Sequence, residues 1–205
     1  MADIESLLKA GPPDTGVPSR AVDAFLGAAT EAGLVDVAVA PVDAPFGRLF
    51  VAVTPRGVVR VSYDDHDALL ADLARRVSPR VLDAAGPTDA VRRELDAYFA
   101  GRLTRFEVPL DLSLVRTEFQ RRVLAAAGRI PYGGRRTYTD VATEAGNARA
   151  VRAAGTALGR NPLCIVVPCH RVLPAGGGIG GYAGGGAAKR WLLDRESPQP
   201  GTLRR

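Results

Sequence analysis

A cysteine and a histidine stand side by side in Pro168-Cys169-His170-Arg171-Val172. The chain has 205 residues but only two cysteines and two histidines, so this pairing is the first place to look for chemistry. A thiolate is the nucleophilic form of cysteine, and an imidazole titrating near neutrality can carry its proton. The pentapeptide follows an apolar run, Ile165-Val166-Val167, which reads as a short buried strand. On their own the five residues fit a small buried thiol beside a surface histidine slightly better than a nucleophile. Along an extended segment the two side chains diverge to opposite faces, so a bridging water, rather than direct contact, would connect them. Glu196 falls at the end of the last predicted helix, where the helix dipole disfavours a carboxylate. That misplacement makes it a candidate third member, orienting the imidazole.

The totals bound the setting. Apolar content of 46% and charged content of 24% are those of a soluble globular chain with room for one large domain or two small ones. No segment approaches the length of a membrane span, and the acidic start, Met1-Ala2-Asp3-Ile4-Glu5, lacks the apolar core of a secretory signal. Cys164 and Cys169 are too close along an extended segment to meet in disulfide geometry, and a reduced, cytoplasmic protein is expected. Their number and spacing fit no usual zinc site. The net charge of +5 admits nucleic acid as a partner without requiring it. Of 27 basic residues only Lys9 and Lys189 are lysine, which fits phosphate recognition and a coding bias equally well.

The elements that must position the pair follow. Residues 1–18 carry Gly11-Pro12-Pro13 and Gly16-Val17-Pro18 and read as a loosely docked arm; Ser19 to Ala32 reads as a helix. A period of two then takes over around Val35, Val37 and Val39, again from Leu49 to Val53, and again from Val58 to Tyr63, predicting an antiparallel meander. Thr54-Pro55-Arg56-Gly57 supplies its turn. A helix from Asp67 to Arg76, a strand at Arg80-Val81-Leu82, and a helix capped by Thr88 with Val91, Leu95, Tyr98 and Phe99 inward complete the first half. His66 reads as a solvated loop residue and Cys164 as a buried small one. A partly extended link over Gly101 to Ser113 leads to the second half, with the boundary near residue 110. Thr117-Glu118-Phe119-Gln120 has capping-box spacing. Two short helices follow, Tyr138 to Glu144 and Ala148 to Leu158, the second capped by Asn147. The outer face of the second carries small side chains with Arg149, Arg152 and Thr156 among them. A glycine loop, with eight glycines between Gly176 and Gly186, and a helix from Ala187 to Arg195 close the chain, with a frayed tail after Ser197.

Ile165-Val166-Val167-Pro168-Cys169-His170-Arg171-Val172 resembles the active-site signature of the O6-alkylguanine-DNA alkyltransferases, the methylated-DNA–protein-cysteine methyltransferases. Thr117-Glu118-Phe119-Gln120, Ile130-Pro131-Tyr132-Gly133, Arg136-Thr137-Tyr138, Arg149-Ala150-Val151-Arg152 with Gly155, Arg160-Asn161-Pro162, Gly180-Gly181-Tyr182 and Lys189-Arg190-Trp191-Leu192-Leu193 resemble the family in the same order. The likeness is close over roughly residues 88–196, and the first half is similar in layout only. It implies an α+β fold, with an N-terminal antiparallel-sheet domain of ribonuclease H-like layout (1–110, including an extension of about 33 residues) and a mostly helical C-terminal domain (111–205) holding a winged-helix-like helix-turn-helix.

The resemblance also implies roles. Cys169 would take the alkyl group from a flipped O6-alkylguanine and keep it as a thioether, in one turnover. His170 would relay a proton, Glu196 would hold His170, Asn161 would brace the turn, and Tyr138 would offer its hydroxyl to the leaving base. Arg152 would fill the gap in the stack, and Arg149, Ala148, Thr156, Thr117 and Gln120 would lie on duplex DNA by the minor groove. Tyr138, Val172, Tyr182 and Ala183 would line the base pocket. Ala183 stands where some members carry serine, so that hydroxyl contact is missing. No metal and no cofactor are implied; the partner is double-stranded DNA with O6-alkylguanine, with O4-alkylthymine as a second substrate, bound by a monomer. The rivals are a lesion-sensing or regulatory helix-turn-helix protein without alkyl transfer, which would not need Cys169, and a thiol hydrolase with a Cys-His-Glu set.

Overall fold

The computed structural model describes Ala28 and residues 32–197, within two compact units, Met1–Val35 and Asp36–Arg205. The arm over 1–18, nearly all of the helix expected from Ser19, and the tail after Ser197 lie outside the described residues. The second unit is mixed α and β, as expected.

Strands β1 (Val37–Ala44), β2 (Gly47–Thr54) and β3 (Gly57–Ser62) form the meander. Helix α1 (His66–Arg76) then returns the chain to β4 (Val81–Asp83), and the sheet order is β3-β2-β1-β4. β4 pairs parallel to β1, so the sheet is mixed rather than wholly antiparallel. Helix α2 (Ala85–Phe99) also contacts β1 and β2. Val37 and Val39 join Leu69 and Leu73 of α1 in one core, while Ala38 and Ala40, on the opposite face of the same strand, are buried too. A sheet covered on both faces needs no polar alternation, which is why the period-two reading of β1 holds only towards its end.

Three start signals are used differently from expectation. Thr88 does not cap α2: the helix begins three residues earlier, and the Thr88 hydroxyl donates to the Ala85 carbonyl (2.7 Å). Pro87 sits in that first turn, where its missing N–H leaves no intrahelical bond unmade. Thr117 does cap helix α3 (Glu118–Gly128), accepting from Gln120 N (3.1 Å), but the Gln120 side chain accepts from Arg116 N (3.3 Å) rather than closing the box on Thr117. His66 is no solvated loop residue; it opens α1 and its Nε2 lies 2.8 Å from Asp83.

The link between the halves docks as a strand-like edge on β3. Val58 N donates to Pro109 O and Asp111 N to Val58 O, both 2.8 Å. Gly57 makes this approach possible: at φ +130° it borders the Pro109 carbonyl so closely that a Cβ would collide with it. Buried Asp111 then locks the hairpin, accepting from Thr54 Oγ1 (2.6 Å) and Arg56 Nε (3.1 Å).

The second half is helical: α3, α4 (Tyr138–Glu144), α5 (Val151–Gly159) and α6 (Gly185–Arg195), with the two-residue strands β5 (Arg136–Thr137) and β6 (Val172–Leu173) paired beside them. α4 has the expected bounds because Thr137 and Asp140 form a full capping box. α5 starts three residues later than expected: Asn147 accepts from Arg149 N (3.1 Å) and builds a turn, not a cap. Trp191 on α6 meets Phe46 of the first hairpin and Phe99 of α2, with ring centroids 5.4 and 5.9 Å apart. Among the described residues no helix is long and apolar enough to cross a membrane.

Candidate active site

The apolar run before Cys169 is not a strand. The chain turns at Ile165, a β-branched residue at φ 74°, and Val167 N reaches back to Leu163 O (2.8 Å). Left-handed backbone is costly for such a side chain, so the neighbours must hold it there. Asn161 does much of this. Its Oδ1 accepts from Leu163 N (3.0 Å), and its Nδ2 donates to Val167 O (3.0 Å) and to Cys169 Sγ (3.1 Å). Cys169, His170 and Arg171 then form one turn of 3-10 helix. Successive residues of such a turn point about 120° apart, so neighbours in sequence face different surroundings.

Cys169 faces a cavity of about 300 Å³ lined by Tyr138, Gly155, Leu158, Cys164, Tyr182 and Ala183, among others. That is the size of a site for one small flat molecule. Cys164 also borders it, because the turn at Ile165 brings the two thiols to one place; the expectation that they stay apart assumed an extended segment. The Cys164 thiol pulls Cys169 toward the thiolate, burial opposes this, and the Asn161 amide and the Lys189 charge assist it, leaving the Cys169 thiol below its ordinary range. Cys164 moves the other way, well up, because the neighbouring Cys169 sulfur and its own burial both favour the neutral form. Lys189 is wholly buried, with Nζ on Val172 O (2.9 Å) and Gly181 O (3.3 Å), and burial lowers its pKa.

His170 points inward to Glu196. Its Nε2 lies 2.9 Å from Glu196 Oε1, and both residues are buried. A carboxylate there requires the Nε2–H tautomer, so Nδ1 carries the lone pair, and Nδ1 has no hydrogen-bond partner in the protein. Burial holds the His170 pKa below its ordinary value despite Glu196, so the ring is neutral at neutral pH. Burial pushes the Glu196 carboxyl up, but His170 and Arg171 outweigh it and bring it to about 2. Arg171, 5% exposed, donates from Nε and Nη2 at 2.7–3.1 Å to both carboxylate oxygens and from Nη1 to Ile130 O (2.5 Å). Tyr98 Oη donates to Glu196 Oε1 (2.7 Å), and Arg135 adds a longer contact at 3.4 Å. The cations around it explain why a glutamate is tolerated at the C-terminal end of α6.

The other predicted residues fall into two groups. Tyr138 opens α4 and borders the cavity; its ring passes beside Gly155 of α5, where a Cβ would stand 3.8 Å away, and burial raises its pKa. Tyr182 and Ala183 form the opposite wall, and Tyr63 of the sheet half donates to Tyr182 Oη (2.9 Å). Val172 is buried outside the cavity lining, with its carbonyl taken by Lys189. Ala148, Arg149, Arg152 and Thr156 are all exposed on the turn before α5 and on α5 itself. Thr117 and Gln120 serve the α3 cap, and Gln120 also ties Arg160 O (3.2 Å). A larger groove of about 820 Å³ runs from Thr117 past Thr156 to Cys164 and Ala183, with Arg60, Arg76, Arg116 and Arg160 along it. Sequence reasoning missed Tyr98, read only as an apolar helix face, and the cavity-lining position of Cys164. Arg171 and Lys189 fall inside motifs that resemble the family, but their burial carries no sequence signal.

Comparison with known proteins follows the same outline. A family model described as the 6-O-methylguanine DNA methyltransferase ribonuclease-like domain matches residues 37–112, and one described as the DNA-binding domain of the same methyltransferase matches residues 118–198. A methylated-DNA–protein-cysteine methyltransferase of Mycobacterium tuberculosis is 52% identical over 103 residues, 50% of this chain and 61% of that protein. A probable methylated-DNA–protein-cysteine methyltransferase of Acanthamoeba polyphaga mimivirus is 37% identical over 149 residues, 73% of this chain and 96% of that protein. The crystal structure of Mycobacterium tuberculosis OGT in complex with DNA superimposes with a TM-score of 0.65 at 38% identity, covering 78% of this chain and 92% of that one. The match to the bacterial relative thus spans about three fifths of its length, while the fold match spans nearly all of it. With both halves matched in order on one fold, the chain belongs to the methylated-DNA–protein-cysteine methyltransferase family.

Proposed function

We propose that this chain reverses alkylation damage in DNA by moving the alkyl group of O6-alkylguanine onto Cys169. The observation that carries the reading is the divided turn at Cys169 and His170, with the thiol in a base-sized cavity and the imidazole fixed behind it by a buried carboxylate. His170 Nδ1, through a water, takes the Cys169 proton. The sulfur attacks the alkyl carbon, the carbon–O6 bond breaks, and the guanine leaves as its anion or takes a proton from Tyr138. The thioether is stable, so each molecule acts once. Glu196 and Arg171 keep the His170 tautomer, and Asn161 keeps the thiol aimed at the cavity. The absence of a hydroxyl at Ala183 shifts the preference among alkyl groups rather than the reaction.

The partner on this reading is duplex DNA, as seen for the relative 38% identical to this chain. The α5 face, with Ala148, Arg149, Arg152 and Thr156, lies in the minor groove, where small side chains allow close approach and the degenerate edge pattern suits a lesion in any sequence. Arg152 fills the stack after the base leaves, Tyr182 and Ala183 wall the pocket, and Val172 acts through its backbone. Thr117 and Gln120 hold the start of α3 against the strand. O4-alkylthymine is the second substrate. The protein works as a cytoplasmic monomer, with residues 1–110 as scaffold and 111–205 as the DNA-binding and acceptor part. The test is Cys169→Ala. It abolishes alkyl transfer and retains binding to O6-methylguanine duplex; transfer that persists would assign the acceptor elsewhere.

A further inference from the structure

The mechanism leaves one buried nucleophile unused. Cys164 lies five residues before Cys169, and the left-handed Ile165 folds the segment back so that both sulfurs border the same cavity. One residue holds them both: the Asn161 amide donates to Cys169 Sγ (3.1 Å), and the Cys164 thiol donates to the Asn161 carbonyl (3.4 Å). Cys164 also borders the larger arginine-lined groove, whereas Cys169 lines only the smaller cavity. Both thiols are free in the structure. Two cysteines that border one cavity and are held by one residue have the arrangement of a reactive cysteine and its resolving partner.

We propose that Cys164 is the resolving thiol of Cys169, so that a hydroperoxide closes a reversible Cys164–Cys169 disulfide that takes the acceptor sulfur out of alkyl transfer. This rests on Cys169 being the acceptor. The Cys169 thiolate attacks one peroxide oxygen, the O–O bond breaks, and hydroxide leaves and is protonated to water. The sulfenic acid so formed is attacked by the Cys164 sulfur. The S–O bond breaks, a second water leaves, and the S–S bond forms. Overall the two thiols lose two protons and two electrons, and hydrogen peroxide is reduced to two waters. A dithiol reductant reverses the closure by exchange. The device spares an acceptor that acts only once, because the disulfide blocks the step to sulfinic acid, which is not reversible by thiols.

The experiment uses the full chain. The reduced protein is treated with hydrogen peroxide, and the tryptic peptide 161–171, which holds both cysteines, is weighed with and without dithiothreitol. Alkyl uptake from an O6-methylguanine duplex is measured on the same samples. The expected result is a peptide lacking two hydrogens, closed to iodoacetamide, in protein whose alkyl uptake falls to background and returns on reduction. In Cys164→Ala the peptide instead gains two or three oxygens, which dithiothreitol does not remove. Wild-type peptide that gains oxygens as the variant does, or a closed disulfide that leaves uptake intact, overturns the inference. Reduced wild-type protein that takes up no alkyl group would instead count against the acceptor reading itself.

Discussion

Glu196→Gln isolates what the buried carboxylate contributes. In the native site Oε1 accepts from His170 Nε2 (2.9 Å), Tyr98 Oη (2.7 Å) and Arg171 Nη2 (2.7 Å), and Oε2 accepts from Arg171 Nε (2.9 Å). Glutamine keeps the shape but replaces one oxygen with an amide that donates, so either His170, Tyr98 and Arg171 Nη2 or Arg171 Nε meets a donor. The charge of Arg171, 5% exposed, loses its counterion. Removing one partner of a buried ion pair costs about 3–5 kcal/mol, and for a unit of this size the midpoint of thermal unfolding falls by about 10 °C. Transfer slows further, by about 10²–10⁴-fold in protein that is still folded, because the His170 tautomer is no longer fixed. Calorimetry and single-turnover transfer at a temperature below both midpoints read the two effects separately. Adding Arg171→Met to the variant removes the stranded charge and recovers more than about 1 kcal/mol. A single variant that melts within about 2 °C of wild type would refute the buried-charge reasoning.

Other consequences are as direct. Stability falls on acidification in two stages: the unfolded chain protonates His170 from pH 6.5 downward before the folded one does, and the Glu196 contribution, present above pH 4.5, is lost as pH drops toward about 2; equilibrium unfolding across pH 7 to 3 reads both. Arg152→Ala slows repair of duplex at least about tenfold more than attack on free O6-alkylguanine base, since only duplex needs a filled stack; equal losses in the two rates would remove that role. Gly57→Ala lowers stability by more than about 2 kcal/mol in denaturant titration, because a Cβ at φ +130° meets the Pro109 carbonyl that docks the link on β3.

Much of this molecule is legible in its residues, and what is not has a common cause. The Thr54-Pro55-Arg56-Gly57 turn and the bounds of α4 follow from local chemistry, so the sequence states them directly. Cys169, His170, Glu196, Asn161, Tyr138, Tyr182 and Ala183 are brought to one place because the motif that suggested them is tied to one fold. The misreadings arise where a contact outside the residue's own short run decides. Ile165-Val166-Val167 has the composition of a strand, yet Asn161 and the Leu163 carbonyl bend it into a turn. Ala38 reads as the outer face of β1, but α2 covers it. Tyr98 reads as an apolar contact, although its hydroxyl ends on Glu196, 98 residues away. Cys164 reads as filler because its neighbour across the turn is invisible until the turn is known.

The central claim, that one sulfur is the acceptor, is tested most directly by intact mass and peptide mapping after incubation of the reduced protein with an O6-methylguanine duplex. The account predicts a single added methyl group, saturating at one per chain and located by fragmentation on Cys169 within peptide 161–171. An unchanged mass with the lesion still bound, or a methyl group found on Cys164, would contradict it.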